Sequence, residues 1–108
     1  MPIVTREFTQ YLVYCLSGGS ASVGMPQDAQ IDCLDAAGRR AGALYFHAGE
    51  RLPQNDDGVN GIYLYLRMAR FADMLTLLQT EKPLYLNLHS DTKVGYLSTG
   101  NEPIGERE

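Results

Sequence analysis

Each of the two histidines in this chain stands near an acid. His47 and Glu50 have H-x-x-E spacing, and His89 and Asp91 have H-x-D spacing, so a fold that gathered them would set two imidazoles and two carboxylates around a metal ion. Structural demands explain the same residues with less. Each histidine closes an alternating apolar run, where a polar residue marks a loop junction, and His47 lacks the second histidine one helical turn along that a zinc protease motif requires. The expectation is therefore no metal and no cofactor, with His47, Glu50, His89 and Asp91 as the weak candidates. Nucleophilic catalysis needs Ser, Cys or Thr beside an oriented base, and no G-x-S-x-G elbow is present. Ser20 and Ser22 lie in a small-residue stretch that no Gly-Lys-Ser/Thr follows, so it reads as a flexible connection rather than a phosphate-binding loop. Asp56-Asp57-Gly58 lacks the alternating acids and closing glutamate of a calcium loop and reads as a turn. Cys15 and Cys33 fit neither a C-x-x-C pair nor a zinc set and read as reduced, strand-borne thiols. No catalytic residue emerges, and the expected class is non-enzymatic.

The tyrosines carry more information. There are seven, with no tryptophan. In Ile62-Tyr63-Leu64-Tyr65-Leu66-Arg67-Met68, strand alternation puts Tyr63, Tyr65 and Arg67 on one face and the aliphatic residues on the other. In Leu84-Tyr85-Leu86-Asn87-Leu88-His89 it puts Tyr85, Asn87 and His89 opposite the leucines. If both aliphatic rows face a common core, Tyr63, Tyr65, Arg67, Tyr85 and Asn87 face outward as a candidate interaction surface, since tyrosine combines a large apolar ring with a hydrogen-bonding tip. Whether the two rows merge depends on strand adjacency, which alternation leaves open. The same residue types stack nucleobases in single-strand binders.

Period-2 alternation dominates the elements that must position these residues. Residues 8–16 read as a first strand, 30–35 and 42–47 as a hairpin with a glycine at its turn, and 62–68 as a fourth strand beyond a Pro-, Asn- and Asp-bearing loop. From about Arg70 the apolar spacing becomes helical. Phe71, Met74, Leu75 and Leu78 predict a short helix, with Phe71, Leu75 and Leu78 buried against Ile62, Leu64 and Leu66. Pro83 ends it near Glu81-Lys82, where the lysine also suits the helix dipole. Residues 84–89 and 94–98 then form a terminal hairpin. The expected fold is mainly β with one helix between the fourth strand and a C-terminal hairpin: a small antiparallel barrel, of possible OB-like topology, or a sheet capped by the helix.

The C-terminal third, Glu81-Lys82-Pro83-Leu84-Tyr85-Leu86 through Gly95-Tyr96-Leu97-Ser98-Thr99 to Glu102-Pro103-Ile104-Gly105-Glu106, resembles the ending of some small uncharacterised bacterial proteins. The resemblance implies a short bacterial-type domain with helix-then-hairpin order, and brings no activity, cofactor or catalytic residue.

At 108 residues, 44% hydrophobic and 20% charged, the chain is expected to be one domain with a frayed tail at 101–108. A net charge of −4 works against the broad basic footprint of most nucleic-acid binders, although Arg39, Arg40, Arg51, Arg67 and Arg70 could still make a local stripe. No apolar run approaches the roughly 20 residues of a membrane span, and the charges at Arg6 and Glu7 stand where a signal peptide would be apolar. The expectation is a cytoplasmic interaction or structural module that associates with itself or with another protein. A single-stranded nucleic-acid-binding barrel is the alternative, and a small-molecule-binding or metal-dependent enzyme comes last.

Overall fold

The computed structural model describes residues 3–15, 28–48, 52, 54–58, 61–81 and 83–100. The sequence readings for the 17–24 connection, Glu50, Arg51, Lys82 and the 101–108 tail lie outside the described residues. The chain runs β1 (Ile3–Phe8), β2 (Gln10–Cys15), β3 (Ala29–Leu34), β4 (Arg40–His47), β5 (Asp56–Gly58) and β6 (Gly61–Arg67). A 3₁₀ turn (Met68–Arg70) and α1 (Phe71–Thr80) follow, then β7 (Leu84–His89) and β8 (Gly95–Thr99). Two sheets result, one in the order β1-β7-β8 and one in the order β2-β3-β4-β6-β5.

The mainly β class holds, with a single α-helix among the described residues, as do the β3–β4 and β7–β8 hairpins. The closed barrel does not form, and with it goes the OB-like order, because the two sheets share no backbone ladder. The run expected as one strand over 8–16 divides at Thr9, so the chain leaves one sheet at Phe8 and enters the other at Gln10. The Thr9 amide is taken up by the Leu34 carbonyl at 2.9 Å. Two further strands precede the helix. β1 pairs with β7, and the acidic turn at Asp56–Gly58 pairs with β6. β4 and β6 run parallel, so the larger sheet is mixed rather than antiparallel. Alternation reports which face a side chain takes and nothing about which strand lies beside it.

Register explains the core. Ile31, Leu44 and Leu64 line up across β3, β4 and β6, with Cys33, Gly42 and Ile62 beside them on the same face. In the other sheet Phe8 faces Leu84 and Val4 faces Leu88, with Leu86 between. Each row would leave apolar area in water, and packing one sheet on the other buries both. Ile31, Leu44, Phe46, Ile62, Leu86 and Leu88 are all fully buried. The sheets approach closely at two glycines: an added Cβ at Gly42 would lie 2.6 Å from Leu86 Cδ1 and collide with the Ile62 carbonyl oxygen, and one at Gly95 would collide with Leu64 Cδ2. Gly61 opens β6 at φ +112°, a conformation that disfavours other residues, and its Cα lies against the Ala41 carbonyl.

The β3–β4 turn is set by one side chain. Asp35 Oδ1 accepts from the amides of Ala37 and Arg39, both at 2.9 Å, while Gly38 takes φ +85°. Helix α1 closes one end of the core. Phe71 meets Phe46 edge to face with centroids 5.1 Å apart. Only Leu78 of the helix is buried; Phe71, Met74, Leu75 and Leu77 are half-buried and pack on the core from outside. The expected full burial of Phe71 and Leu75 is thus corrected: α1 leans on the sheet sandwich rather than filling its centre. Leu86→Ala should cost about 2–5 kcal/mol in a denaturant melt, whereas Leu75→Ala should cost about 1–2 kcal/mol, because only the former opens a sealed cavity.

Candidate functional site

The outward face of the five-stranded sheet is where polar and aromatic side chains collect. Parallel pairing of β4 with β6 sets Tyr45 beside Tyr65 and Ala43 beside Tyr63. The Tyr45 and Tyr65 rings stack at 5.2 Å with 26° between their planes, and Tyr63 tilts against Tyr45 at 6.1 Å. Ala43 is outward yet fully buried, since these larger neighbours cover its methyl group. The ring of His47 lies 5.8 Å from that of Tyr65.

One ion pair organises the near side of this cluster. Arg40 Nη2 donates to Asp32 Oδ1 at 2.8 Å and to the Tyr45 hydroxyl at 3.1 Å, and its guanidinium lies 5.8 Å over the Tyr63 ring. Gln30 Nε2 adds a second hydrogen bond to Asp32 Oδ1 at 2.7 Å. Burial works to lower the pKa of Arg40, but the Asp32 charge and the Tyr45 hydroxyl outweigh it and the pKa moves up. Burial first, then the neighbouring Tyr45, Asp56 and Tyr63, raise the Tyr65 phenol above its ordinary value. On the far side, Asn55 Oδ1 accepts the Tyr65 amide at 2.8 Å and so extends the β6 hydrogen bonding beyond the short β5.

Of the residues singled out from sequence, Tyr63, Tyr65 and Arg67 share this face. Tyr85 and Asn87 do not join them, because β7 is the central strand of the other sheet. The two tyrosine rows therefore lie on opposite sides of the core. Asn87 is also 5% exposed. Its Oδ1 accepts from Thr5 Oγ1 at 2.9 Å, and its Nδ2 donates to Ser98 Oγ at 2.9 Å and to the carbonyls of Tyr85 and Tyr96 at 3.3 Å, which makes it a tie between three strands. Sequence reasoning missed Tyr45, Asp32 and Gln30, and it read Arg40 as part of a basic stripe rather than as the partner of Asp32. Tyr45 was legible, since it sits between Leu44 and Phe46 in an alternating run; the other three needed the β3–β4 register.

The metal candidates are apart. His47 ends β4 in one sheet, His89 ends β7 in the other, and Asp91 lies in the turn that follows. Among the described residues no three of His, Cys, Asp and Glu come together to hold a metal ion. Of the arginines that could have made a basic stripe, Arg40 is held by Asp32, and Arg70 stands at the start of α1, 3.8 Å from Asp73. Cys15 and Cys33 are both unpaired, Cys15 exposed and Cys33 buried. Burial, with the Asp32 charge added and Arg40 opposing, pushes the Cys33 thiol up to about 12.

Comparison of the chain with protein-family models, with curated proteins and with solved structures gives no match.

Two outcomes are expected. Asn87→Ala should lower stability by about 1–3 kcal/mol in urea melts, because the Thr5 and Ser98 hydroxyls lose a buried partner. Because the Cys33 thiol holds its proton more tightly folded than unfolded, its contribution is complete below about pH 9 and is lost as pH rises from about 9 to about 12. Stability should fall there by about 1.4 kcal/mol per pH unit from this group, and Cys33→Ala should remove the part of the slope that begins near pH 9, leaving the later loss from Tyr65.

Proposed function

We propose that the chain is a non-enzymatic interaction module of a bacterial-type cytoplasm, that it self-associates, and that the outward face of its five-stranded sheet is the contact surface. The observation that supports this reading is the Tyr45–Tyr63–Tyr65 cluster on a sheet face, with the Tyr45 ring against both others and braced by Arg40 and Asp32. Rings already restrained by stacking lose little conformational freedom when a partner covers them, so the apolar area they bury is offset less by ordering. Their hydroxyls tolerate a wet rim, and a few central aromatic residues can carry much of an interface's energy.

Stacking of single-stranded nucleic acid on the same rings is the competing use of this face. Charge disfavours it: the arginine nearest the rings already spends its guanidinium on Asp32, and the chain's net charge is −4.

Replacing Tyr63 and Tyr65 together by alanine should give a smaller species by sedimentation, with the wild-type fold retained by circular dichroism. Single strands should bind more weakly than about micromolar at physiological salt and weaken further as salt rises. Tight binding that is lost in Tyr65→Ala would replace the protein-interaction reading with the nucleic-acid one.

A further inference from the structure

Among the described residues the two sheets end in four edge strands: β1 and β8 in one, β2 and β5 in the other. An edge presents unpaired N–H and C=O groups, and natural sheets blunt such edges with charge, brevity or cover. Two of the four, β1 and β5, are treated in this way. β1 carries Arg6 and Glu7 side by side. β5 is three residues long, two of them aspartates. Just before β8, Asn55 Nδ2 donates to the Lys93 carbonyl at 3.1 Å and the Lys93 ammonium lies 3.7 Å from Asp56, while β8 itself is uncharged and belongs to the sheet without the tyrosine cluster.

β2 has none of these devices. Gln10-Tyr11-Leu12-Val13-Tyr14-Cys15 contains no charge, no proline and no glycine, and it pairs with β3 over all six residues without a break. Among the described residues no strand lies on its other side. Leu12 is 49% and Tyr14 40% exposed, and both project from the face that carries the tyrosine cluster. We infer that β2 is a strand-pairing surface for a second copy of this chain, joining two five-stranded sheets edge to edge.

The choice of a second copy rests on self-complementarity. A twofold axis perpendicular to the sheet brings β2 against its own equivalent antiparallel, an isologous contact that closes at two copies. No charge falls at the seam, so the chain's net charge of −4 opposes this contact only at a distance, where salt screens it. The face rule also restricts the register. Tyr11 and Val13 lie on the core side with Cys33 and Ile31, and Leu12 and Tyr14 on the outer side with Asp32 and Gln30. Continuing both faces across the seam requires even-numbered residues to oppose even-numbered ones, and the registers that also keep most of the strand paired set Leu12 against Leu12 or Val13 against Val13 at the axis. In both registers Leu12 and Tyr14 of the two copies pack together on the outer side. The row Tyr14–Gln30–Tyr45–Tyr65 then runs on into its equivalent in the partner.

This inference rests on the self-association proposed above and assigns it a strand. The test is hydrogen exchange resolved along the wild-type chain, at concentrations where sedimentation finds it dispersed and where it finds it associated. Alternate amides of β2 should exchange on the order of tenfold more slowly in the associated sample. Leu12→Lys with Tyr14→Lys changes only exposed side chains and places like charges across the seam; it should halve the associated mass and abolish the extra protection. Association that leaves β2 exchange unchanged would overturn the edge contact while self-association stands. Protection and mass that both survive Tyr63→Ala with Tyr65→Ala would uphold the edge and remove the tyrosine face as the contact. A chain that stays monomeric at every concentration would end both.

Discussion

The contact between Leu86 and the bare backbone of Gly42 is the constraint from which the rest of the molecule follows. Leu86 is the middle of three inward leucines on β7, and Gly42 lies at the matching point on β4, where the absence of a side chain lets the sheets come together. That approach seals Ile31, Leu44, Ile62 and Leu88 from water on both sides. Without it, each sheet would leave one apolar face in water.

Once the inner faces are committed to each other, the outer faces are the only place for everything else. The larger sheet puts its aromatic and charged residues there, with small Ala43 making room for Tyr63 and with Asp32 and Arg40 satisfying one another beside the rings. The smaller sheet uses its outer face differently. Asn87 joins Thr5 and Ser98 across three strands, so a residue that could have served recognition instead fixes strand order. The two faces therefore carry different amounts of free polar chemistry, although their sequences alternate in the same way.

Because the sheets pack without closing into a barrel, edges remain, and their chemistry differs strand by strand. Charge at Arg6 and Glu7 and acid at Asp56 and Asp57 make pairing costly on β1 and β5. β2 and β8 carry no charge, and of the two only β2 borders the outer face that holds the Tyr45–Tyr63–Tyr65 cluster. A surface with this layout combines backbone pairing at its margin with aromatic area at its centre.

Local chemistry in the sequence determined the helix, the two hairpins and the faces of the strands at 62–68 and 84–89. The alternation at 62–68 and 84–89 specified which residues turn inward, since a strand offers a side chain only two directions. Pro83 and the helical spacing from Phe71 specified the one helix, and the glycine between residues 30–35 and 42–47 specified a hairpin. What only the tertiary structure decided was adjacency. The parallel partnership of β4 and β6 put Tyr45 among the tyrosines, and the placement of β7 in the other sheet took Tyr85 and Asn87 away from them. The break at Thr9 and the recruitment of Asp56–Gly58 as a strand escaped the sequence for the same reason. Pairing is a property of two segments distant along the chain, and the hydrogen bonds and shared core that select a partner are absent from either segment read alone.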